Sequence, residues 1–182
     1  TLAWLFSTYD GTVPFSTLVR KAKEMGYTEP DPRDDLSGMD VGRKTVILAR
    51  EMGYEVEVQD IPIQSLVPAG MDSLSIEAFM QNLEVLDPHI EQAYRDAERK
   101  GEKLRYVGIV DEKGACSASL ASFGSDHPFA QARGTDNVIC FTTDRYLNQP
   151  LVIKGPGAGR EVTAGGVFSD MLRLAAYLGA RI

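Results

Sequence analysis

Leu104-Arg105-Tyr106-Val107-Gly108-Ile109-Val110-Asp111 and Ala115-Cys116-Ser117-Ala118-Ser119-Leu120-Ala121-Ser122-Phe123 stand on either side of Glu112-Lys113-Gly114. Both flanks are strand-like, and a short turn ending in glycine between them predicts an antiparallel hairpin rather than a crossover through a helix. Residues 137–143 and 150–154 read as two further strands. Residues 55–59 and 61–68 alternate with period two and are expected as strands, with Pro62 confining the second to an edge. Upstream the periodicity is helical: residues 1–9, a segment from Pro14 or Ser16 to Met25 stopped by Gly26, and one from Asp34 or Asp35 to near Gly53. Residues 75–101 read as two helices broken near Asp87-Pro88, and residues 162–178 as a last helix. Helices dominate the first half and strands the second. This predicts an α+β fold, a mixed and largely antiparallel sheet covered by helices, with no Rossmann domain.

Between the second and third helices lies the densest chemistry of the chain. Glu29-Pro30-Asp31-Pro32-Arg33-Asp34-Asp35-Leu36 leads through Gly38 and Asp40 to Arg43-Lys44. Each X-Pro step restricts the preceding residue to extended backbone, so Glu29 and Asp31 are expected outside any helix, as a stiff acidic strap. Leu36, Met39, Val41, Val46, Ile47, Leu48 and Ala49 then supply a broad apolar helix face. Asp40 and Lys44, four apart, share another face. The pattern suits carboxylates that receive a cationic substrate beside a lysine that handles a proton. On its own, an acidic strap is equally a helix-entry surface or a divalent-ion site, although the spacing of an EF-hand loop is missing.

Bulk properties narrow the class. The 182 residues are 43% hydrophobic and 25% charged, as in ordinary globular proteins, and one or at most two domains are expected. A net charge of −7 argues against nucleic acid and against an anionic membrane surface. With no long apolar run and no basic segment before a short apolar stretch, neither a membrane span nor a secretory signal is expected. Cys116 and Cys140 fit free thiols in a reducing compartment, and His89 and His127, each beside a proline, lack zinc-ligand spacing. The start at Thr1, without an initiator methionine, suggests a piece of a longer polypeptide.

A second motif, Lys154-Gly155-Pro156-Gly157-Ala158-Gly159, follows a strand, and Thr163-Ala164-Gly165-Gly166 opens a helix. Such glycines let a backbone approach a ligand, and a helix start favours an anion. The dinucleotide fingerprint G-x-G-x-x-G nonetheless fails, because Arg160 occupies the third glycine position and too little chain follows for a second strand and its acid. A tight structural turn is the alternative reading of the same residues.

Taken together these residues resemble homoserine dehydrogenase over its C-terminal part. Gly26 to Lys44 is similar to that family's signature almost position for position, and further similar stretches occur in the same order. They are Gln64-Ser65-Leu66-Val67-Pro68, Leu104 to Gly108, His127-Pro128-Phe129-Ala130, Gly155 to Gly159, Val162-Thr163-Ala164 and Gly166-Val167-Phe168. Several are most similar to the plant-like form fused to aspartokinase, and stand-alone enzymes belong to the family too. The resemblance implies that residues 1–182 are one catalytic domain without the upstream nucleotide-binding domain. It implies NAD- or NADP-dependent interconversion of L-homoserine and L-aspartate 4-semialdehyde in threonine, methionine and isoleucine biosynthesis.

By the same resemblance Glu29 and Asp40 bind the substrate, with Asp35 shaping that site, and Lys44 is the acid/base. Gly26, Gly159 and Gly157 lie toward the cofactor, and no metal is implied. A homodimer is implied, cytoplasmic or, in a plant, plastidic. Lys44 is expected to be pulled between nearby carboxylates and burial against the helix face. Gly42 stands where alanine is common in the family, a change expected to loosen the helix by about 1 kcal/mol. Without its nucleotide domain the fragment is expected to be silent. The competing reading is a free-standing acidic module for amino acids or divalent metal with no redox role.

Overall fold

The computed structural model describes residues 1–157 and 160–180, and these cluster into two compact units, Thr1–Gly134 and Thr135–Ile182. The α+β class is borne out, with the strands in two separate antiparallel ladders.

In the first unit, helix α1 spans Leu2–Thr8 and α2 spans Phe15–Glu24. Phe15, Leu18, Val19 and Ala22 recur at helical spacing and are all buried, as the sequence pattern requires. The N-terminus of α2 has Pro14 at its cap and takes its acceptors from elsewhere: Asp87 receives the Ser16 N–H and the Ser16 hydroxyl, both at 2.7 Å. The expected third helix is instead two, α3 at Pro32–Leu36 and α4 at Met39–Glu51. The break is Gly38, whose φ of 73° is the left-handed conformation that glycine adopts without strain.

Residues 55–68 form no strand. Glu57 and Asp60 cap each other around a 3-10 turn at Val58–Asp60, and local side-chain acceptors of this kind compete with a ladder. After Pro62, which has no N–H to give, the backbone ladder to a sheet is limited to the parallel bridge of Ile63 to Ala118. Helix α5 (Ile76–Gln81), a 3-10 turn (Leu83–Leu86) and α6 (Asp87–Arg99) follow. Pro88 sits in the first turn of α6, where its missing N–H costs nothing.

Strands β1 (Glu102–Val110) and β2 (Cys116–Gly124) pair antiparallel from Glu102 with Gly124 to Val110 with Cys116, so the expected hairpin is present. Its turn is closed by Asp111, whose carboxylate accepts the N–H groups of Lys113 and Ala115 at 2.8 Å. The main core joins Leu5, Phe6, Phe15, Val19, Leu36, Phe79, Leu83, Leu86, Ile90 and Leu104. Arg105 reinforces it by donating to the carbonyls of Phe6, Phe129 and Ala130 at 2.8 to 2.9 Å.

The second unit holds β3 (Asp136–Phe141) and β4 (Leu151–Pro156), paired from Asp136 with Pro156 to Phe141 with Leu151, and helix α7 (Arg160–Tyr177). None of its described residues is buried: Ile153, Val167, Phe168, Met171, Leu174 and Leu178 all remain exposed. One hairpin and one helix enclose too little volume to make a core of their own.

Candidate active site

The strap begins where α2 ends. Gly26 takes φ 70°, and two bonds, Gly26 N–H to Lys23 and Tyr27 N–H to Ala22, close the helix in a Schellman arrangement. Gly26 thus has a structural task, and the space where a Cβ would sit is open. Thr28 and Glu29 run on outside any helix, as the prolines require.

Asp31 is turned to structure. It caps α3 by accepting the Arg33 N–H, and it forms a two-pronged ion pair with the Arg33 guanidinium, 2.6 Å at its shortest. The same guanidinium donates to the carbonyls of Met71, Asp72 and Leu74 and lies over the Phe79 ring. The Arg33 hydrogen bond holds the Asp31 carboxyl below the usual aspartate range. Asp35 is a brace: one oxygen accepts the Glu29 N–H at 2.8 Å, and the other stands 2.6 Å from the Thr1 hydroxyl. The Glu29 side chain is left exposed, its backbone held from behind.

Asp40 and Lys44 pair at 2.9 Å across one turn of α4. Their side chains are 68% and 58% exposed, so the burial expected for Lys44 is not found: the helix turns its apolar residues the other way. Val46 and Ala49 are buried, whereas Ile47 stays exposed and is no part of that face. One exposed carboxylate beside one exposed ammonium can pair with a small zwitterion and exchange a proton with it.

Of the glycine-rich loop, Gly157 lies in the second unit, and Gly159 lies outside the described residues. A Cβ at Gly157 would strike the Asn137 amide, so a neighbouring side chain already explains that glycine, whereas a Cβ at Gly155 or at Gly26 would meet nothing within 4 Å. Cys116 and Cys140 are free thiols. His127 packs against the Phe123 and Phe129 rings, and its Nδ1 accepts the Phe129 N–H; burial lowers its pKa. No metal-holding group of three ligands occurs among the described residues, and none of their helices is long and apolar enough to cross a membrane.

Three residues near α4 escaped sequence reasoning. Tyr106, Ile63 and Thr45 meet the backbone at Gly38, Gly42 and Gly108 respectively. The signal was present as glycines spaced along one helix face and opposite it in a strand.

The family model for homoserine dehydrogenase matches residues 1–172. The chain is 55% identical over 182 residues to a chloroplastic bifunctional aspartokinase/homoserine dehydrogenase 2 of Zea mays, covering 99% of this chain and 20% of that protein. It is 41% identical to homoserine dehydrogenase of Schizosaccharomyces pombe, covering 99% of this chain and 50% of that protein. A crystal structure of a Candida auris protein of unknown function superposes with a TM-score of 0.90 at 43% identity, over 96% of this chain and 51% of that one. Staphylococcus aureus homoserine dehydrogenase, at 21% identity and a TM-score of 0.69, shares the fold. The chain therefore spans a fifth of the bifunctional relative and half of the fungal enzyme.

Proposed function

The chain belongs to the homoserine dehydrogenase family, and from that premise we propose that it carries the substrate side of an NAD- or NADP-dependent oxidoreductase site. Its substrates are L-homoserine and, in reverse, L-aspartate 4-semialdehyde. Glu29 and Asp40 hold the substrate ammonium, Asp35 fixes the Glu29 backbone, and Lys44 moves the hydroxyl proton. The observation that carries this reading is the exposed Asp40–Lys44 pair at 2.9 Å beside the Asp35-braced strap.

In the oxidation direction Lys44 Nζ, when unprotonated, takes the proton from the substrate hydroxyl as hydride leaves its carbon; in reverse it returns that proton to the carbonyl oxygen. Asp40 has two oxygens and can face Lys44 with one and the substrate ammonium with the other. The nicotinamide, when bound, accepts or supplies the hydride. Gly26 and the loop of Gly157 and Gly159 are its contacts on this chain, which alone carries no complete dinucleotide fingerprint. The 182 residues by themselves are expected to oxidise no homoserine; measurable oxidation by the purified chain contradicts that.

The exposed apolar residues of the second unit support assembly, as a homodimer in this reading. Commitment of Asp31 to Arg33 and of Asp35 to Glu29 favours the redox reading over a divalent-ion module. The deciding experiment is Lys44→Met in the intact enzyme. Turnover should fall about a hundredfold to ten-thousandfold, the usual contribution of a placed acid/base, with much less change in homoserine binding. Turnover within a few-fold of wild type overturns the assignment.

A further inference from the structure

We infer that Tyr106 and Thr45 are positioning residues for the reaction: together with three glycines they seat α4 on the hairpin of the first unit and so aim Asp40 and Lys44. The inference rests on the roles proposed above for those two residues.

The seat has three points. A Cβ at Gly38 would stand 1.8 Å from the Tyr106 hydroxyl, one at Gly42 would stand 2.4 Å from Ile63 Cδ1, and one at Gly108 would stand 1.9 Å from Thr45 Oγ1. At each point a side chain fills the space that glycine leaves, so there is no clearance for sliding. Gly42 and Thr45 lie three residues apart on one stripe of α4, and Gly38 is the left-handed residue just before it. Asp40 and Lys44 each lie two residues from Gly42, about 200° around the helix from it, and both side chains are exposed. Rotation of α4 at the seat is therefore read out directly at the two functional groups.

The three points are also tied to one another. The Tyr106 hydroxyl donates to the Gln64 carbonyl at 2.7 Å, next to Ile63. Gln64 in turn bonds β2 twice, from its N–H to Ala118 and from the Leu120 N–H to its side chain. Thr45, 4% exposed, donates to the Val41 carbonyl at 2.8 Å, which fixes the rotamer that meets Gly108. Meanwhile the N-terminus of α4 has no side-chain cap. Of its first N–H groups that of Met39 is received by the Ser37 hydroxyl at 3.2 Å, while Tyr106 occupies the space beside Gly38.

The test is steady-state kinetics of the intact enzyme with four variants, each shown to be folded by circular dichroism at the assay temperature. Gly108→Ala pushes Thr45 and should lower kcat/KM for homoserine about tenfold or more, since small displacements of a reacting group carry penalties of that order. Adding Thr45→Ala removes the struck hydroxyl, leaving the nearest atom at 3.2 Å, and should restore most of the loss. The double variant shows that the clash is the cause, and a kcat/KM loss in Gly108→Ala with Tm unchanged is the readout that a merely structural defect would not give. Tyr106→Phe, the mildest change, should lower kcat/KM several-fold. Lys44→Met run alongside separates the two levels of the argument. Wild-type turnover in Lys44→Met breaks the site reading. Collapse there, together with wild-type kinetics in Gly108→Ala and Tyr106→Phe or no recovery in the double variant, overturns the seat.

Discussion

Two ion pairs lie in one short stretch, and they have opposite surroundings. Asp31–Arg33 is 24% and 15% exposed, and its arginine is also bonded to three carbonyls of the 71–74 segment. Asp40–Lys44 is 68% and 58% exposed and is joined to nothing beyond its own helix among the described residues. The first pair holds the strap to the body of the unit. The second is left available. Identical charge chemistry thus does structural work where the arginine fork is satisfied by the fold, and is free for a ligand where it faces solvent.

The comparison can be broken most directly at its exposed end. Besides the loss of turnover in Lys44→Met, the same variant should change stability by no more than about 0.5 kcal/mol, the worth of an exposed pair one turn apart. Thermal unfolding checks this, and a large loss would make Lys44 structural. Asp40→Ala should raise KM for homoserine in the intact enzyme about tenfold to a hundredfold, as expected for removing a charge-assisted bond to the substrate, with Tm nearly unchanged. Asp31→Asn should do the reverse, lowering Tm while leaving KM close to wild type.

Acid titration sharpens the contrast. The Arg33 bond holds the Asp31 pKa in the folded state below the ordinary 3.8. The folded chain then binds fewer protons than the unfolded one, so the contribution of Asp31 is fully present above the unfolded pKa and is lost as pH falls through the folded value. Asp31→Asn should accordingly flatten the fall of stability below about pH 4, measured by denaturant unfolding at stepped pH. An unchanged slope would show that Asp31 gains nothing from Arg33.

The smallest effect is expected at Gly42. Alanine there should gain about 1 kcal/mol of helix propensity, but its Cβ meets Ile63, so the net change should be smaller. Gly42→Ala and Ile63→Val should therefore be non-additive, the double variant being more stable than the sum of the singles. Strict additivity would mean that Ile63 swings aside without cost.

Much of this was legible in the chain itself. Helical spacing of Phe15, Leu18, Val19 and Ala22 found α2, and the glycine-ended turn at 112–114 found the hairpin, because such local patterns carry their own energetics. The strand pattern at 55–68 misled, since alternation says nothing about whether a neighbouring strand is there to pair with, and local capping by Glu57 and Asp60 won. The helix face at 36–49 was drawn too broadly because Ile47 has no element over it.

The sequence by itself determined the α+β class, the strap outside the helices and the identity of Glu29, Asp35, Asp40 and Lys44 as candidates. Backbone restriction by proline and the 3.6-residue period act over a few residues and need no partner. Only the tertiary structure decided that Asp31 belongs to Arg33, that Asp35 braces Glu29, that Lys44 stands in the open, and that Tyr106, Ile63 and Thr45 meet the glycines around α4. Asp31–Arg33 and Asp35–Glu29 are short-range but depend on how the strap is folded and held, the contacts of Tyr106, Ile63 and Thr45 join residues far apart in the chain, and burial and close approach exist only once the chain has closed on itself.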